Sequence, residues 1–207
     1  MTAPSKSDTS RRGLVAAAGR VLRDRGLEGA RVREIAAAAG VSPGTVLYHF
    51  GSTDDLLFAV HEDAVARYSA LRTAAAAGHQ DDPWLRLVAT FKVGLPPYAD
   101  REVIELLYEM HRLGRKSPRH AVLLSGLWRL EYGLYVELVS AGVARGVFRC
   151  ADPAATARTL LALEDGLVLH LISGNEAVSS PLALTTFLTA AAHLLGDPAL
   201  AASGRYA

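Results

Sequence analysis

Hydrogen-bonding side chains are concentrated in one short stretch of the chain, SPGTVLYHF. Ser42 and Thr45 carry hydroxyl groups, and Tyr48 and His49 add an O–H and a ring N–H about one helical turn later. Such groups bind the phosphate oxygens of a nucleic acid, and a residue as small as Gly44 lets a helix approach a groove closely. The stretch therefore predicts phosphate contacts by Tyr48 and His49. Thr45 and Gly44 are expected to face base edges.

Two short helices joined by a tight turn are needed to position these side chains, and the segment Val32–Phe50 predicts both. Apolar residues fall on one face of the first helix, and Gly40 follows where a positive φ is needed to end it. Ser42 then caps the second helix, and Pro43 in its first turn fixes φ without losing a hydrogen bond. The pattern is that of a helix-turn-helix, with Arg31 at its start expected to reach the nucleic-acid backbone.

The run V-x-E-I-A-x-x-A-G-V-S-x-G-T, followed by Y-H-F and GSTDDLL, resembles the N-terminal domain of TetR-type transcriptional regulators over roughly residues 10–60. The resemblance implies a preceding helix from about Ser10 to Arg25 and a fourth helix capped by Ser52. Three positions depart from the family pattern, namely Arg31, Leu47 and Thr53. They stand where a capping hydroxyl residue, an aromatic residue and a lysine are common. We expect the lost backbone contacts to weaken DNA binding and its salt dependence.

Charge is unevenly distributed along the chain. The first 50 residues carry eight Lys and Arg and four Asp and Glu, a net charge of +4, so the remainder of this +1 chain has a net charge of −3. A basic head on a mildly acidic body fits a phosphate-facing module joined to a part that does not touch DNA. The 207 residues are enough for two domains, which we predict at residues 8–60 and 61–207.

Several classes of protein are disfavoured by what the sequence lacks. It has no long uninterrupted apolar run and no signal-peptide core at its polar N-terminus, which predicts a cytoplasmic protein without a membrane partner. Its one cysteine, Cys150, cannot form an internal disulfide, and we expect no metal and no cofactor. The motifs G-x-S-x-G, H-E-x-x-H and C-x-x-C are missing, so an enzyme is not expected. A helical binding or scaffold protein that has lost DNA affinity stays an alternative.

Apolar residues recur every three or four positions from Leu56 onward without a β pattern, which predicts an all-α fold of about nine to ten helices. The N-terminal three-helix helix-turn-helix domain would be joined to a larger helical domain for ligand binding and dimerisation. The later helices are expected near 52–77, 83–93, 98–113, 119–145, 153–172 and 181–195, with a break at Pro96 and Pro97.

The two longest of these helices, 119–145 and 153–172, are apolar around more than one face. Such a helix is either fully buried in its own core or packed against a partner. The resemblance favours a homodimer, because TetR-type regulators generally pair two C-terminal helices from each subunit in a four-helix bundle. This part of the chain further resembles the C-terminal domain of the BetI-like branch.

Ionisable and aromatic side chains interrupt the apolar faces of the C-terminal helices. The candidate ligand-binding residues are Glu105, Tyr108, Glu109, Trp128, Glu131, Tyr132, Asp165 and His170, with Glu164 beside them. Carboxylates near aromatic rings are typical of a pocket for a cation, such as a polyamine or a quaternary amine. An apolar or acyl-type ligand stays open. So does a purely structural role in which Glu109 pairs with Arg112 and Glu131 lies on the surface.

The resemblance implies a ligand-responsive regulator, more often a repressor than an activator. It would bind a palindromic double-stranded DNA operator, and a small-molecule effector would release it by moving the fourth helix.

Overall fold

Nine α-helices and no β-strand are found in a computed structural model that describes residues 6–95 and 100–198, with side chains from residue 10 onward. The helices are α1 Lys6–Gly29, α2 Val32–Ala39, α3 Pro43–Phe50, α4 Thr53–Ala77, α5 Pro83–Lys92, α6 Arg101–Gly114, α7 Pro118–Ala144, α8 Pro153–Ile172 and α9 Ser180–Leu194. The all-α prediction is confirmed, and the helix bounds agree with the expected ranges to within a few residues. The predicted break at Pro96 and Pro97 and the predicted helix start near residue 98 lie outside the described residues.

Side-chain caps begin the helices where the sequence predicts them. The Ser42 hydroxyl accepts a hydrogen bond of 3.1 Å from the backbone N–H of Thr45 at the start of α3. The Ser52 hydroxyl accepts one of 3.1 Å from the N–H of Asp55 at the start of α4. Each cap satisfies a backbone donor that the first helical turn would otherwise leave without a partner. The two caps define the starts of α3 and α4, and only two residues separate the end of α3 from the start of α4.

Two glycines and one arginine determine the ends of α1 and α2. Gly40 has a φ of 67° and closes α2, as predicted, because a left-handed residue is needed there. Arg31 precedes α2 in an extended conformation and its side chain makes no capping hydrogen bond, which confirms the predicted loss of that cap. The predicted end of α1 is only partly right. Gly26 interrupts the helix with a φ of 66°, but helical turns resume up to Gly29.

The described residues divide into two compact units. The first comprises those of Met1–Arg67 and Glu105–Ser125, and the second comprises those of Tyr68–Ile104 and Gly126–Ala207. The first unit is built on a small apolar core from α1 to α4, which includes Leu14, Leu22, Ile35, Val46 and Leu56, all buried. Burial of each such side chain contributes about 1.5 to 3 kcal/mol, so this core fixes α2 and α3 against α1.

The second unit has the larger core, centred on aromatic residues. The rings of Phe91 and Phe187 stack with centroids 3.8 Å apart, and Trp84 meets Phe148 edge to face at 4.9 Å. Leucines of α7 and α8 complete it, among them Leu138, Leu160 and Leu161. Leu134 and Leu167, which the sequence places on the long apolar helices, are partly buried and pack against the same core.

Candidate functional site

The exposed end of α3 carries the polar residues predicted from the sequence. Tyr48 is 86% exposed and the neighbouring Leu47 is 43% exposed. The hydroxyl oxygens of Ser42 and Thr45 lie 2.9 Å apart, so the serine that caps α3 also holds the side chain of Thr45. Pro43 occupies the first turn of the helix. The helix α3 therefore presents a hydroxyl group held by Ser42 near its start and an exposed phenol ring near its end.

The start of α1 lies beside the end of α3. The Ser10 hydroxyl oxygen is 3.3 Å from Nε2 of His49, and the guanidinium carbon of Arg11 lies 4.7 Å from the centroid of the Phe50 ring. The Tyr48 ring meets the His49 ring edge-on at 5.4 Å. Ser10 and Arg11 cannot be recognised as site residues from the sequence, because these contacts join positions far apart in the chain. Arg11 therefore adds a positive charge to the same exposed end.

The basic residues around α2 differ in their surroundings. Arg31 and Arg33 are exposed. Gly44 of α3 is exposed too, and because it has no side chain its backbone is open to solvent. Arg25 of α1 forms an ion pair with Glu34 of α2, so its charge is directed to the protein itself. Arg31 just before α2 and Arg33 in its first turn are therefore cations that the start of this helix presents to solvent.

Within the first unit, α6 and α7 are held to the N-terminal helices by charged pairs. The guanidinium of Arg112 donates to Glu28 at 2.7 Å, so its hydrogen bonds do not go to the expected partner, Glu109 of the same helix. Arg119 donates to Asp55 at 2.7 Å and also contacts Asp54. Hydrogen bonds from Ser52 and Arg119 lower the pKa of Asp55. These pairs connect α6 to α1 and α7 to the start of α4.

Three of the predicted ligand residues belong to this first unit. Glu105 and Tyr108 of α6 are half-buried, and the Tyr108 ring stacks on His111 at 5.5 Å. Glu109 is also half-buried, and its Oε2 atom is buried without a hydrogen-bond partner among the described residues. These residues share one helix, as the sequence indicates.

A buried ionic cluster occupies the second unit. The guanidinium of Arg72 on α4 donates two hydrogen bonds to Glu164 of α8, at 2.6 Å and 3.1 Å, and a third of 2.8 Å to the backbone carbonyl of Thr90. The Tyr135 hydroxyl of α7 donates to the second carboxylate oxygen of Glu164 at 2.6 Å. Arg72 and Tyr135 have no exposed surface, and Glu164 is 2% exposed. We call these residues, with Glu131, the Arg72 cluster.

Glu131 of α7 is the second carboxylate of the Arg72 cluster. Its Oε1 atom is 3.7 Å from Nε of Arg72, and this Nε has no hydrogen-bond partner among the described residues. Burial raises the pKa of Glu131 to about 8, since desolvation and the charge of Glu164 outweigh the attraction of Arg72 and a hydrogen bond from Tyr68. Burial also raises the pKa of Tyr135, whereas the charge of Glu164 raises that of Arg72 against the effect of its burial.

The other predicted ligand residues of the second unit lie at its surface, except Tyr132, which is half-buried against the core. Trp128 is 43% exposed and stacks on Tyr132 at 5.1 Å, and the guanidinium of Arg158 lies 5.5 Å from the same Tyr132 ring. Asp165 and His170 of α8 are exposed. The structure therefore groups Trp128 with Tyr132 and brings Glu131 to Arg72.

Arg72 is the residue of the cluster that the sequence analysis missed. The only signal for it is a lone arginine within the alanine-rich end of α4, where an exposed position is the usual interpretation. Its carboxylate partners lie on other helices, so no local spacing reveals the pairing.

No helix among the described residues is long and apolar enough to cross a membrane. In the same part of the chain, no three side chains of His, Cys, Asp or Glu are arranged to hold a metal ion.

Comparison with known proteins agrees with this geometry. Residues 14–60 match the family described as "Bacterial regulatory proteins, tetR family", and residues 83–196 match "BetI-type transcriptional repressor, C-terminal". The chain belongs to the TetR family. It is a transcriptional regulator of the BetI-like kind, and its family is one of DNA-binding regulators rather than enzymes, which confirms both predictions.

Individual relatives cover most of this TetR-family chain. The HTH-type transcriptional regulator BetI of Rhizobium meliloti (strain 1021) is 31% identical over 187 residues, which are 84% of this chain and 85% of the relative. A transcriptional regulator from Saccharomonospora viridis, solved in complex with choline, is 26% identical with a TM-score of 0.80, over 86% of this chain and 93% of that one. One from Rhodococcus sp. Rha1 has the same fold, with 24% identity and a TM-score of 0.79 over 90% and 96% of the chains.

Proposed function

We propose that this chain is a homodimeric repressor that binds a palindromic DNA operator through α2 and α3 and leaves it when a positively charged small molecule binds. The observation that carries the proposal is the burial of Glu131 and Glu164 beside the guanidinium of Arg72, in a protein whose α3 end is exposed. Two buried carboxylates facing one guanidinium favour a ligand that brings positive charge.

The DNA side of the proposal assigns a role to each exposed residue of the helix-turn-helix. Tyr48 and His49 contact phosphates, and Arg31 contacts the backbone near the start of α2. Thr45 and Gly44 face base edges, because the exposed first turn of a recognition helix is the part that reaches into the major groove. The exposure of Tyr48 and the fixed hydroxyl of Thr45 support this assignment.

The effector side of the proposal rests on charge. A cation beside Glu131 compensates a carboxylate that the protein otherwise buries next to a second one, Glu164. The regulator from Saccharomonospora viridis was solved with choline, a quaternary ammonium ion, which makes choline a suitable first compound. Arg72 lies on α4, the helix that follows α3 in the chain. A ligand that prefers one position of Arg72 therefore biases the helix that leads to the DNA-binding residues.

The homodimer is supported by apolar side chains that the second unit leaves in solvent. Leu169 of α8 and Leu182 of α9 are 47% and 48% exposed, and Trp128 of α7 is exposed as well. A closed two-fold dimer would bury the same patch on both subunits. It would also place two copies of α3 on half-sites related by symmetry, which requires a palindromic operator.

The test combines DNA binding with release by matched ligands. Purified protein is footprinted on the DNA upstream of its own gene across a range of salt concentrations, and choline, spermidine and a fatty acid are then added. The neutral isostere of choline, 3,3-dimethylbutanol, is the control for charge. We expect a two-fold symmetric footprint that choline or spermidine removes and the isostere does not.

Other outcomes contradict defined parts of the proposal. No salt-dependent footprint would mean that the chain is a helical binding protein without DNA affinity. Release by the fatty acid or by the neutral isostere would exclude a cationic effector and favour an apolar ligand. A footprint strengthened by the ligand would indicate an activator, or a repressor that needs the ligand as its co-repressor.

A further inference from the structure

The Arg72 cluster has an uneven balance of charge. Its buried members among the described residues are one guanidinium and two carboxylates, those of Glu131 and Glu164. Glu164 receives two hydrogen bonds from Arg72 and one from Tyr135, so its charge is fully compensated. Glu131 has a hydrogen bond from the neutral hydroxyl of Tyr68 and only a longer contact of 3.7 Å to Arg72 Nε, so no paired cation compensates its charge. An uncompensated buried carboxylate is costly when it is ionised.

We propose that Glu131 is the residue that meets the cationic effector and that it holds a proton in the free protein, which it releases to solvent when the cation binds. The inference rests on the proposed function and specifies the chemistry of its effector site. The cation takes the place of the proton as the partner of Glu131. Arg72 and Glu164 stay paired with each other in both states.

The geometry distinguishes the two carboxylates. Glu164 is held by both terminal nitrogens of Arg72, while the Nε edge that faces Glu131 makes no hydrogen bond to the described residues. Glu131 is 8% exposed, so water does little to stabilise its charge in place of a paired cation. Consistent with this, burial raises the pKa of Glu131 to about 8; the charges of Glu164 and Asp165 add to this rise, and Arg72 and the Tyr68 hydroxyl oppose it. At neutral pH the protonated form is then the main one, and a nearby cation favours ionisation.

The consequence is a pH-dependent affinity for a ligand that does not itself titrate. Choline keeps its charge at all relevant pH values, so any proton exchanged on binding comes from the protein. At pH 7 we expect about 0.9 proton to be released per choline bound for a group with a pKa of about 8. Affinity should rise nearly tenfold per pH unit below pH 7 and level off above pH 9.

The experiment is calorimetric titration of the intact protein with choline in phosphate and in Tris buffer, whose different ionisation enthalpies report the proton released. It is repeated on the isosteric variant Glu131→Gln and on Glu176→Gln, which changes an exposed acid of the same unit. We expect proton release in wild type and Glu176→Gln. Glu131→Gln should bind choline at least tenfold more weakly, with no proton release and no pH dependence. Circular dichroism checks that each variant is folded.

A second measurement needs no ligand. Infrared difference spectra of wild type minus Glu131→Gln should contain a protonated carboxyl band at pH 7 that disappears by about pH 10. Absence of the band would overturn the inference even if no cation bound. Choline-induced release from DNA without proton release would also overturn it while leaving the proposed function intact. If no DNA footprint exists but the band and proton release do, the inference stands and the proposed function fails.

Discussion

The Nδ1 atoms of His61 and His120 lie 2.8 Å apart, between two stacked imidazole rings that have no exposed surface. One ring nitrogen must donate and the other accept, so the accepting ring is neutral and the two rings cannot both be charged while this contact is made. Neither Nε2 atom has a hydrogen-bond partner among the described residues. The pair joins α4 to α7 within the first unit.

This pair predicts a loss of stability in mild acid. Desolvation lowers the pKa of His61 to about 4, with His120 and His111 adding to the effect. It also lowers that of His120, where Arg119 adds and Asp54 opposes. Below about pH 6.5 the unfolded chain therefore binds more protons than the folded chain. The free energy of unfolding has its full value above that pH and declines as pH falls toward 4. The slope is at most about 1.4 kcal/mol per pH unit for each imidazole.

Urea unfolding between pH 4 and pH 8 measures this slope. In the double variant His61→Leu, His120→Leu the decline below pH 6.5 should be smaller than in wild type. The variant His193→Gln changes an exposed histidine and should keep the wild-type profile. An unchanged acid slope in the double variant would exclude the pair as its origin.

Local features of the fold could be predicted from the sequence because they depend on neighbouring residues. Gly40, Ser42 and Ser52 end or begin helices through contacts within a few positions, and each behaves as expected. Apolar spacing likewise predicted the helix ranges. The first helix was expected to end near Arg25, and Gly26 does interrupt it there, but the helical turn that resumes up to Gly29 was not predicted from the spacing.

The candidate sites were predictable only where they lie within one element. The polar residues of α3 are consecutive, so the exposed position of Tyr48 follows from the helix itself. The partners of Glu131 and Glu164 lie on α4 and α7, and the pairing with Arg72 requires the three-dimensional packing of helices distant in sequence. The same limit hid the contact between Ser10 and His49.

Tyr48 and Thr45 should affect DNA binding in different ways. Tyr48→Phe removes only an exposed hydroxyl, and we expect weaker binding to all operator variants alike, because a phosphate contact carries no sequence information. Thr45→Val removes a hydroxyl held by Ser42 and should change the preference between operator variants by about 1 to 3 kcal/mol. Competition footprinting with single-base operator variants separates the two effects. A uniform loss for Thr45→Val would contradict base reading.

Arg11 should contribute to DNA binding although it lies on α1. It sits over the Phe50 ring at the exposed end of α3, so its charge is close to the expected phosphate contacts. Arg11→Ala should lower the logarithmic salt slope by about 0.9, the value for one neutralised phosphate. Arg20→Ala, an exposed cation further along α1, is the control and should leave the slope nearly unchanged. Equal effects of both variants would point to general electrostatics.

Leu169 and Leu182 should matter for assembly more than for folding. Both are about half exposed, whereas Leu134 and Leu167 pack against the core of their own unit. Leu169→Glu or Leu182→Glu should therefore give folded monomers with weak operator binding. Val122→Glu, an exposed position of the first unit, is the matched control. Sedimentation at micromolar concentration decides, and a dimer that tolerates both charges would place the interface elsewhere.

Arg72 and Glu164 should be coupled in stability. Arg72→Met leaves the buried Glu164 carboxylate without its cation, and Glu164→Gln leaves the guanidinium without its main partner, so each should cost about 3 to 5 kcal/mol. The double variant Arg72→Met, Glu164→Gln removes both charges and should cost less than the two single changes together. Arg112→Met breaks an exposed pair with Glu28 and should have little effect. Additive losses in urea unfolding would show that the cluster is not an energetic unit, since strict additivity requires that neither side chain depends on the other.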